Sequence, residues 1–323
     1  MGEGNRVGVL TNPNMFSLII PIYNEEKLLD ELVSRTIAAV ESFTVDYEVI
    51  LVDDGSIDRS LSKILQLRDR NRKLKVLSLS KNFGHQAAFT AGLEHAKGDI
   101  LAMMDGDLQD PPELLIGMYR KITTEDFDIV SAKKSARRGR PARNFYAGLF
   151  HRIFSNIGEM KDIANYGNYS MMKRIAADAL LSMKEKVRYL PGLRSFIGFR
   201  HGDVEFVRDE RFSGKSKMSL RRLFRLASDA IFSFSRFPIR LCLILGTAGT
   251  IVFLGAGIYV IIAKATGIAI PGWSSTLLSI YFLGSIQLVF LGIIGEYIYR
   301  NYKESQNRPV YFVRKFYDDN SEK

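Results

Sequence analysis

The chain has 323 residues, 46% of them hydrophobic, and a formal net charge of +10, a length that suits one sizeable domain with an appendage or two small ones. Its single cysteine, Cys242, excludes a disulfide framework and a cysteine-based zinc cluster. The charge is uneven, with 24 Lys or Arg against 9 Asp or Glu between Lys133 and Arg240, and with apolar spans following it such a segment points to anionic lipid headgroups and not to nucleic acid.

Residues 1–15 read as a disordered tail, and no apolar stretch follows Met1 that would make a signal peptide. Regular alternation then begins. FSLIIPIY (Phe16–Tyr23) reads as a buried strand, and Glu25–Phe43 as a helix with Leu28, Leu29, Leu32, Ile37 and Val40 on one stripe. YEVILVDD (Tyr47–Asp54), LKVLSLS (Leu74–Ser80), DILAMMD (Asp99–Asp105) and FDIVSA (Phe127–Ala132) read as further strands. Helices are expected over Arg59–Arg70, Gly84–Ala96 and Pro112–Lys121. Strands alternating with helices at these lengths predict a mostly parallel α/β sheet with helices on both faces.

Beyond Ala132 the pattern changes. KKSARRGRP (Lys133–Pro141) is a basic loop, and Arg143–Ile157 and Ser219–Phe237 are amphipathic, with basic faces opposite Phe and Leu, a pattern that suits helices lying in a membrane interface. No residue from Leu241 to Ala263 or from Pro271 to Gly295 carries a charge, and each run exceeds the roughly 20 residues a helix needs to cross hydrocarbon. Arg236 and Arg240 precede the first run and Arg300, Lys303, Arg308, Arg314 and Lys315 follow the second, while only Lys264 lies between them. The positive-inside rule therefore places both ends in the cytoplasm. The expected organisation is a tail (1–15), an α/β domain (16–218), a juxtamembrane amphipathic helix (219–238), a transmembrane hairpin (239–299, with spans at about 241–263 and 274–297) and a cytoplasmic C-terminal tail (300–323).

In a parallel sheet of this kind ligands bind outside the carboxyl ends of the strands. Those ends read Tyr23-Asn24-Glu25, Asp53-Asp54-Gly55-Ser56, Ser80-Lys81-Asn82 and Asp105-Gly106-Asp107. No G-x-G-x-x-G follows the first strand and no G-x-x-x-x-G-K-[ST] occurs, which disfavours dinucleotide and P-loop sites. Phosphates bound here need a metal in place of a glycine cradle. Asp105 and Asp107 stand at i and i+2 after a strand, so an extended backbone lets both converge on one ion, and Mg2+ or Mn2+ suits all-oxygen ligation.

PIYNEE (Pro21–Glu26), VDDGSIDRS (Val52–Ser60), NFGHQAAFTAG (Asn82–Gly92) and DGDLQDPPE (Asp105–Glu113) together resemble the family 2 glycosyltransferases of GT-A fold. RFSGKSKMS (Arg211–Ser219) followed by two spans narrows the resemblance to bacterial polyprenyl-phosphate glycosyltransferases, similar in their catalytic part to dolichol-phosphate mannose synthases. The resemblance implies inverting, metal-dependent transfer from a nucleotide sugar, UDP-sugar favoured, to a polyprenyl phosphate at the cytoplasmic membrane. It also implies an oligomer, a tetramer in this group.

By the same resemblance Asp107 is the firmer metal ligand, Asp105 bridges metal and ribose, and Gln109 completes the shell. Pro21, Tyr23, Glu25 and Asp53 fall to the nucleotide base and ribose, whose hydroxyls and ring N–H groups carboxylates can accept from. Asp54 is open between that role and capping the next helix; His85 is open between a site role and that of a turn residue, and Asp110 reads as a turn and cap residue. Arg137, Arg138, Arg211, Ser216 and Lys217 are the candidate clamps for the acceptor phosphate, with Lys133, Lys134 and Lys215 near them. Where relatives of the glucosyl type carry an Asp proposed as base, this chain has Asn168. A phosphate nucleophile carries negative charge near pH 7, its second pKa being about 6, so the substitution reads as a change of sugar specificity. Two other readings compete: a processive polysaccharide synthase, which the lack of an Arg-Trp pair around the sole Trp273 opposes, and a non-catalytic membrane-anchored binding protein.

Overall fold

The computed structural model describes residues 15–134, 166–186, 188–206, 237–266 and 272–318. The described residues fall into two compact units, one comprising residues 15–206 with the segment from Pro309, the other residues 237–308. The expected tail up to residue 14, the amphipathic segment Arg143–Ile157 and residues 219–236 of the juxtamembrane helix lie outside the described residues.

The first unit is built on an eight-stranded sheet: β1 (Phe16–Ile22), β2 (Tyr47–Asp53), β3 (Leu74–Leu79), β4 (Ile100–Met103), β5 (Ile129–Lys134), β6 (Tyr166–Lys173), β7 (His201–Phe206) and β8 (Val313–Tyr317), in the order β7-β5-β6-β4-β1-β2-β3-β8. β4, β1, β2 and β3 run parallel, as the alternation predicts. Their runs are mainly apolar because both faces are covered, with Ser17, Glu48, Lys75 and Ser78 as buried polar exceptions; Leu18, Ile19, Ile20, Ile50, Leu51, Val76 and Leu77 expose nothing. The crossover helices α1 (Leu29–Glu41), α2 (Ser60–Arg70), α3 (His85–His95) and α4 (Leu114–Thr124) follow in turn. α3 lies close on the sheet at Gly92, where a Cβ would stand 2.3 Å from Ile19 Cγ2.

Two departures from the expected fold bear on the site. β5 runs in the expected direction but one place further out, because β6 is inserted antiparallel between β4 and β5. After β6 come α5 (Arg174–Ser182) and α6 (Leu190–Phe196), neither of them predicted, and then β7, which pairs with β5 in parallel. The second departure corrects the C-terminal tail. The chain beyond residue 300 continues a helix to Ser305, and then β8 pairs antiparallel with β3, with Leu77 opposite Phe316. A five-residue edge strand carrying Arg314 and Lys315 looks like solvated chain, and charge of that kind keeps an edge from pairing with another molecule.

The second unit holds α7 (Phe237–Ala265) and α8 (Trp273–Ser305), 29 and 33 residues long. Both outrun the predicted spans, and Ile244–Ala263 and Phe282–Ser305 are long and apolar enough to cross a membrane by length and composition. Leu254, Ile261, Leu288 and Leu291 each leave more than half their surface open.

His201, on β7, supplies a measurable acid sensitivity. Its Nε2 lies 2.8 Å from Ser131 Oγ. Burial first, and the nearby Arg194 second, push its pKa down from 6.5 to about 4. The unfolded chain then binds a proton that the folded one refuses, so stability is full above pH 6.5 and is lost as pH falls from 6.5 towards 4. His201→Gln is expected to flatten the fall in thermal midpoint over that window while leaving carboxylate titration below it intact; an unchanged slope would reject the assignment.

Candidate active site

The carboxyl ends of β1, β2, β3 and β4 gather the predicted residues, and hydrogen bonds from distant segments fix most of them. Asn24 sits at φ 56°, a left-handed conformation Asn tolerates. Its N–H donates to Ser56 Oγ at 3.1 Å, its Oδ1 accepts from the Ile57 N–H at 2.9 Å, and the Glu25 N–H donates to Ser60 Oγ at 2.9 Å. The turn after β1 is thereby stitched to the turn after β2. Pro21 and Glu25 beside it are half-buried, and Tyr23 is exposed.

Asp53 and Asp54 end β2, with 1% and 2% of their surface open. Asp53 accepts from the Ser56 N–H at 3.1 Å and the Ser78 hydroxyl at 3.3 Å. Asp54 accepts from the Phe83 N–H at 2.7 Å and the Gly84 N–H at 3.0 Å. Burial raises the Asp54 pKa, against the opposing pull of those two amides. Both Asp54 oxygens thus hold the turn entering α3, where Gly84 takes φ 92°. Of the two roles open for Asp54, its hydrogen bonds show a turn-holding one, at the turn into α3 and not at the start of α2. Gly55 is required beside it, since a Cβ there would lie 2.5 Å from the Lys81 carbonyl carbon.

The acidic turn after β4 lies against β1, where a Cβ on Gly106 would stand 2.8 Å from Pro21 O. Its carboxylates face different neighbours. Asp107 accepts from the Gln109 N–H at 3.1 Å and the Gln109 side-chain amide at 2.8 Å. Asp105 Oδ1 lies 3.1 Å from His85 Nε2, so the start of α3 brings His85, open between turn and site, against the acidic turn. Asp110 is buried just beyond, and the Tyr169 hydroxyl donates to Pro111 O at 2.8 Å, fixing the chain as it turns into α4.

Asn168, on β6, reaches the same place from the other side of the sheet order. Its Nδ2 is 3.0 Å from His85 Nε2, and its Oδ1 accepts from Gln86 Nε2 at 3.0 Å. Gln86 in turn accepts the Leu190 N–H at 3.1 Å. Behind Asn168, Arg194 donates to Asn168 O at 2.9 Å, to Gly167 O at 2.5 Å and to Ser170 Oγ. With 1% of its surface open, Arg194 has its pKa pushed down to about 10 by burial. Gln86 and Arg194 were missed by sequence reasoning; the only signal for Gln86 was its place in the NFGHQAAFTAG stretch, next to His85 in the first turn of α3. Arg137, Arg138, Arg211, Ser216 and Lys217 lie outside the described residues. Lys133 is described, and it pairs with Asp203 at 3.1 Å.

The donor set decides what kind of metal these residues suit. Among the described residues no three of His, Cys, Asp and Glu form a metal-holding group. Mg2+-type ions are commonly bound by one or two carboxylates with the remaining places filled by phosphate oxygens and water. Asp105 and Asp107 therefore fit an ion that arrives with a diphosphate, not one caged by protein alone.

Residues 17–184 match the family model described as glycosyl transferase family 2. An uncharacterized glycosyltransferase of Synechocystis sp. is 36% identical over 299 residues, covering 92% of this chain and 94% of that protein. A prophage-derived bactoprenol glucosyl transferase of Shigella flexneri is 34% identical over 307 residues, covering 94% of this chain and 99% of that protein. Among solved structures, the mannosyltransferase PcManGT of Pyrobaculum calidifontis, in complex with GDP-Man and Mn2+, is similar with a TM-score of 0.46 at 20% identity, over 68% of this chain and 61% of that one. On the family match and relatives that align from end to end, this chain is a glycosyltransferase and belongs to glycosyl transferase family 2.

Proposed function

We propose that the chain transfers a sugar from a nucleotide sugar, UDP-sugar favoured, to a polyprenyl phosphate, with inversion and with Mg2+ or Mn2+ as cofactor. The observation that carries this reading is the end-to-end relation to a bactoprenol glucosyl transferase, two apolar helices included. One phosphate oxygen of the acceptor bonds to the anomeric carbon while the bond from that carbon to the diphosphate breaks. Asp105 and Asp107 would hold the cation, which supplies charge neutralisation for the departing diphosphate. Pro21, Tyr23, Glu25 and Asp53 shape the nucleotide end, Asp53 mainly by holding the turn around Ser56. The side-chain amide of Asn168 is engaged at both ends and is no base; the acceptor needs none, because it is already an anion. Arg137, Arg138, Arg211, Ser216 and Lys217 would orient that phosphate, so that charge stabilisation and positioning supply most of the rate.

Sheet connectivity supports a hairpin anchor. β8 follows α8 in the chain yet pairs with β3, which precedes α7. That connectivity favours both ends of the apolar pair on one side of a bilayer, a condition two spans meet and one span cannot. The flanking Arg and Lys make that side the cytoplasm. Purified protein given undecaprenyl phosphate and a panel of labelled nucleotide sugars is expected to yield one short lipid-linked product, lost on chelation with EDTA and restored by Mn2+. A long polymer, or no lipid-linked label from any sugar, would overturn the reading. The sugar that labels best also tests whether Asn168 marks a specificity other than glucose.

A further inference from the structure

The strand that returns from the apolar helices begins beside the site. β8 pairs with β3 through a bulge: Ser78 stands opposite Lys315 and Leu79 opposite Val313, which leaves Arg314 as the extra residue. Bulges re-aim side chains and are common next to active sites. Here Arg314 Nη2 donates to Ser80 O at 3.3 Å, and the Ser80 N–H donates to Phe312 O at 2.9 Å. The Phe312 ring meets that of Phe83, with centroids 6.1 Å apart and planes at 50°. The Tyr311 hydroxyl donates to Glu94, and the rings of Phe316 and His95 lie 5.2 Å apart. Residues 311–316 thus contact both the loop that enters α3 and the last turn of that helix.

The loop itself is open to solvent. Lys81 and Asn82 are exposed, Phe83 and Gly84 are half-buried, and among the described residues a Cβ on Gly84 would meet nothing within 4 Å. Yet the N–H groups of Phe83 and Gly84 hold the two oxygens of buried Asp54. If the loop swings out, a carboxylate with almost no access to water loses both donors, which is costly. The loop and Asp54 are therefore fixed together, and Phe312 bears on the loop through Phe83. Phe312 leaves 56% of its surface open, so its contribution to the core is small and its contact with Phe83 is its main use.

We propose that Phe312 is a positioning residue for the nucleotide sugar: by holding Phe83 it sets the loop that secures Asp54 at the nucleotide end of the site. This role rests on the assignment of the ends of β1 and β2 to the nucleotide. Because Phe312 follows both apolar helices in the chain, the site is completed by a segment from beyond the hairpin, which residues 1–236 alone would lack.

The test measures steady-state transfer by full-length protein in detergent, from the nucleotide sugar that labels best to undecaprenyl phosphate. Phe312→Ala is expected to raise KM for the nucleotide sugar about 5-fold, within what one lost aromatic pair can supply. KM for the lipid and the thermal midpoint should stay at wild type. Amide hydrogen exchange should quicken at Phe83 and Gly84 but not in β1. Phe312→Tyr keeps the ring and should restore both KM and exchange. Phe83→Ala should reproduce Phe312→Ala, and the double variant should be no worse than either single one, as two residues acting through one contact require. A nucleotide-sugar KM unchanged in Phe312→Ala, or a lipid KM that rises equally, overturns the positioning role. A thermal midpoint lowered with KM unchanged overturns it too, by showing an effect on stability alone. Additive effects in the double variant overturn Phe83 as the link. No transfer by wild type from any nucleotide sugar overturns the proposed function instead, a result distinguishable from the others.

Discussion

Asp107→Asn is expected to lower incorporation of labelled sugar into the lipid fraction by about 10³-fold or more, equivalent to roughly 4 kcal/mol of transition-state stabilisation. The size follows from what is removed. A departing nucleoside diphosphate gains a negative charge as its bond to the sugar breaks, and one well-placed electrostatic contact to such charge is worth about 10²–10³ in rate. In the proposed mechanism, losing the carboxylate would weaken the hold on the cation that makes this contact. The folded state should notice little, because Asp107 is half-buried and its carboxylate accepts from Gln109, two residues away. Unchanged thermal unfolding with Mn2+-dependent UDP binding lost is therefore the expected pair of results. Near-wild-type incorporation in Asp107→Asn would place the cation elsewhere. Asp105→Asn should cost activity too, by the same loss of charge stabilisation.

What could be read beforehand follows the range over which each feature is encoded. The first four strands are legible because each is an apolar run that a polar turn closes, and everything needed lies within a few residues. β6 is not, since Ser170, Met171 and Met172 are buried without an alternating pattern. Its place between β4 and β5 depends on partners such as Leu101 and Val130, which are distant along the chain. β8 is hidden for a different reason: its pairing with β3 spans most of the chain, and its charges suit an edge. The site divides in the same way. Asp105 and Asp107 stand out as a local pair, whereas the partners of Asp54 are the amides of Phe83 and Gly84, and those of His85 and Gln86 include Asn168. Spacing along the chain shows a carboxylate at a strand end; it does not show which loop that carboxylate holds.

The end of the sheet opposite the site carries the largest expected effect on stability. Glu48, at the start of β2, has 1% of its surface open. Its Oε1 accepts from the Ser17 hydroxyl and from the Lys97 N–H, each at 2.6 Å, while Lys75 Nζ lies 2.6 Å from its Oε2. Lys75 also reaches Asp318, just after β8, at 3.2 Å, and Lys97 Nζ reaches the same carboxylate at 2.9 Å. Burial alone would lower the Lys75 pKa, but Glu48 and Asp318 outweigh it and raise it. Lys75→Met keeps most of the side-chain volume and leaves Glu48 ionised without its cation, which costs about 3–5 kcal/mol for a buried pair broken on one side. Domains of this kind are stable by only about 5–15 kcal/mol, so the variant should unfold at markedly lower temperature, and β8 should lose protection from amide hydrogen exchange before β1 does. Glu48→Gln combined with Lys75→Met should recover most of the loss, because no uncompensated charge then remains. A double variant as unstable as Lys75→Met alone would show that the network holds β8 by shape and packing instead of by charge. A single variant that melts with wild type would mean that Glu48 is solvated in solution and that the strand returning from the apolar helices is held by its backbone bonds to β3.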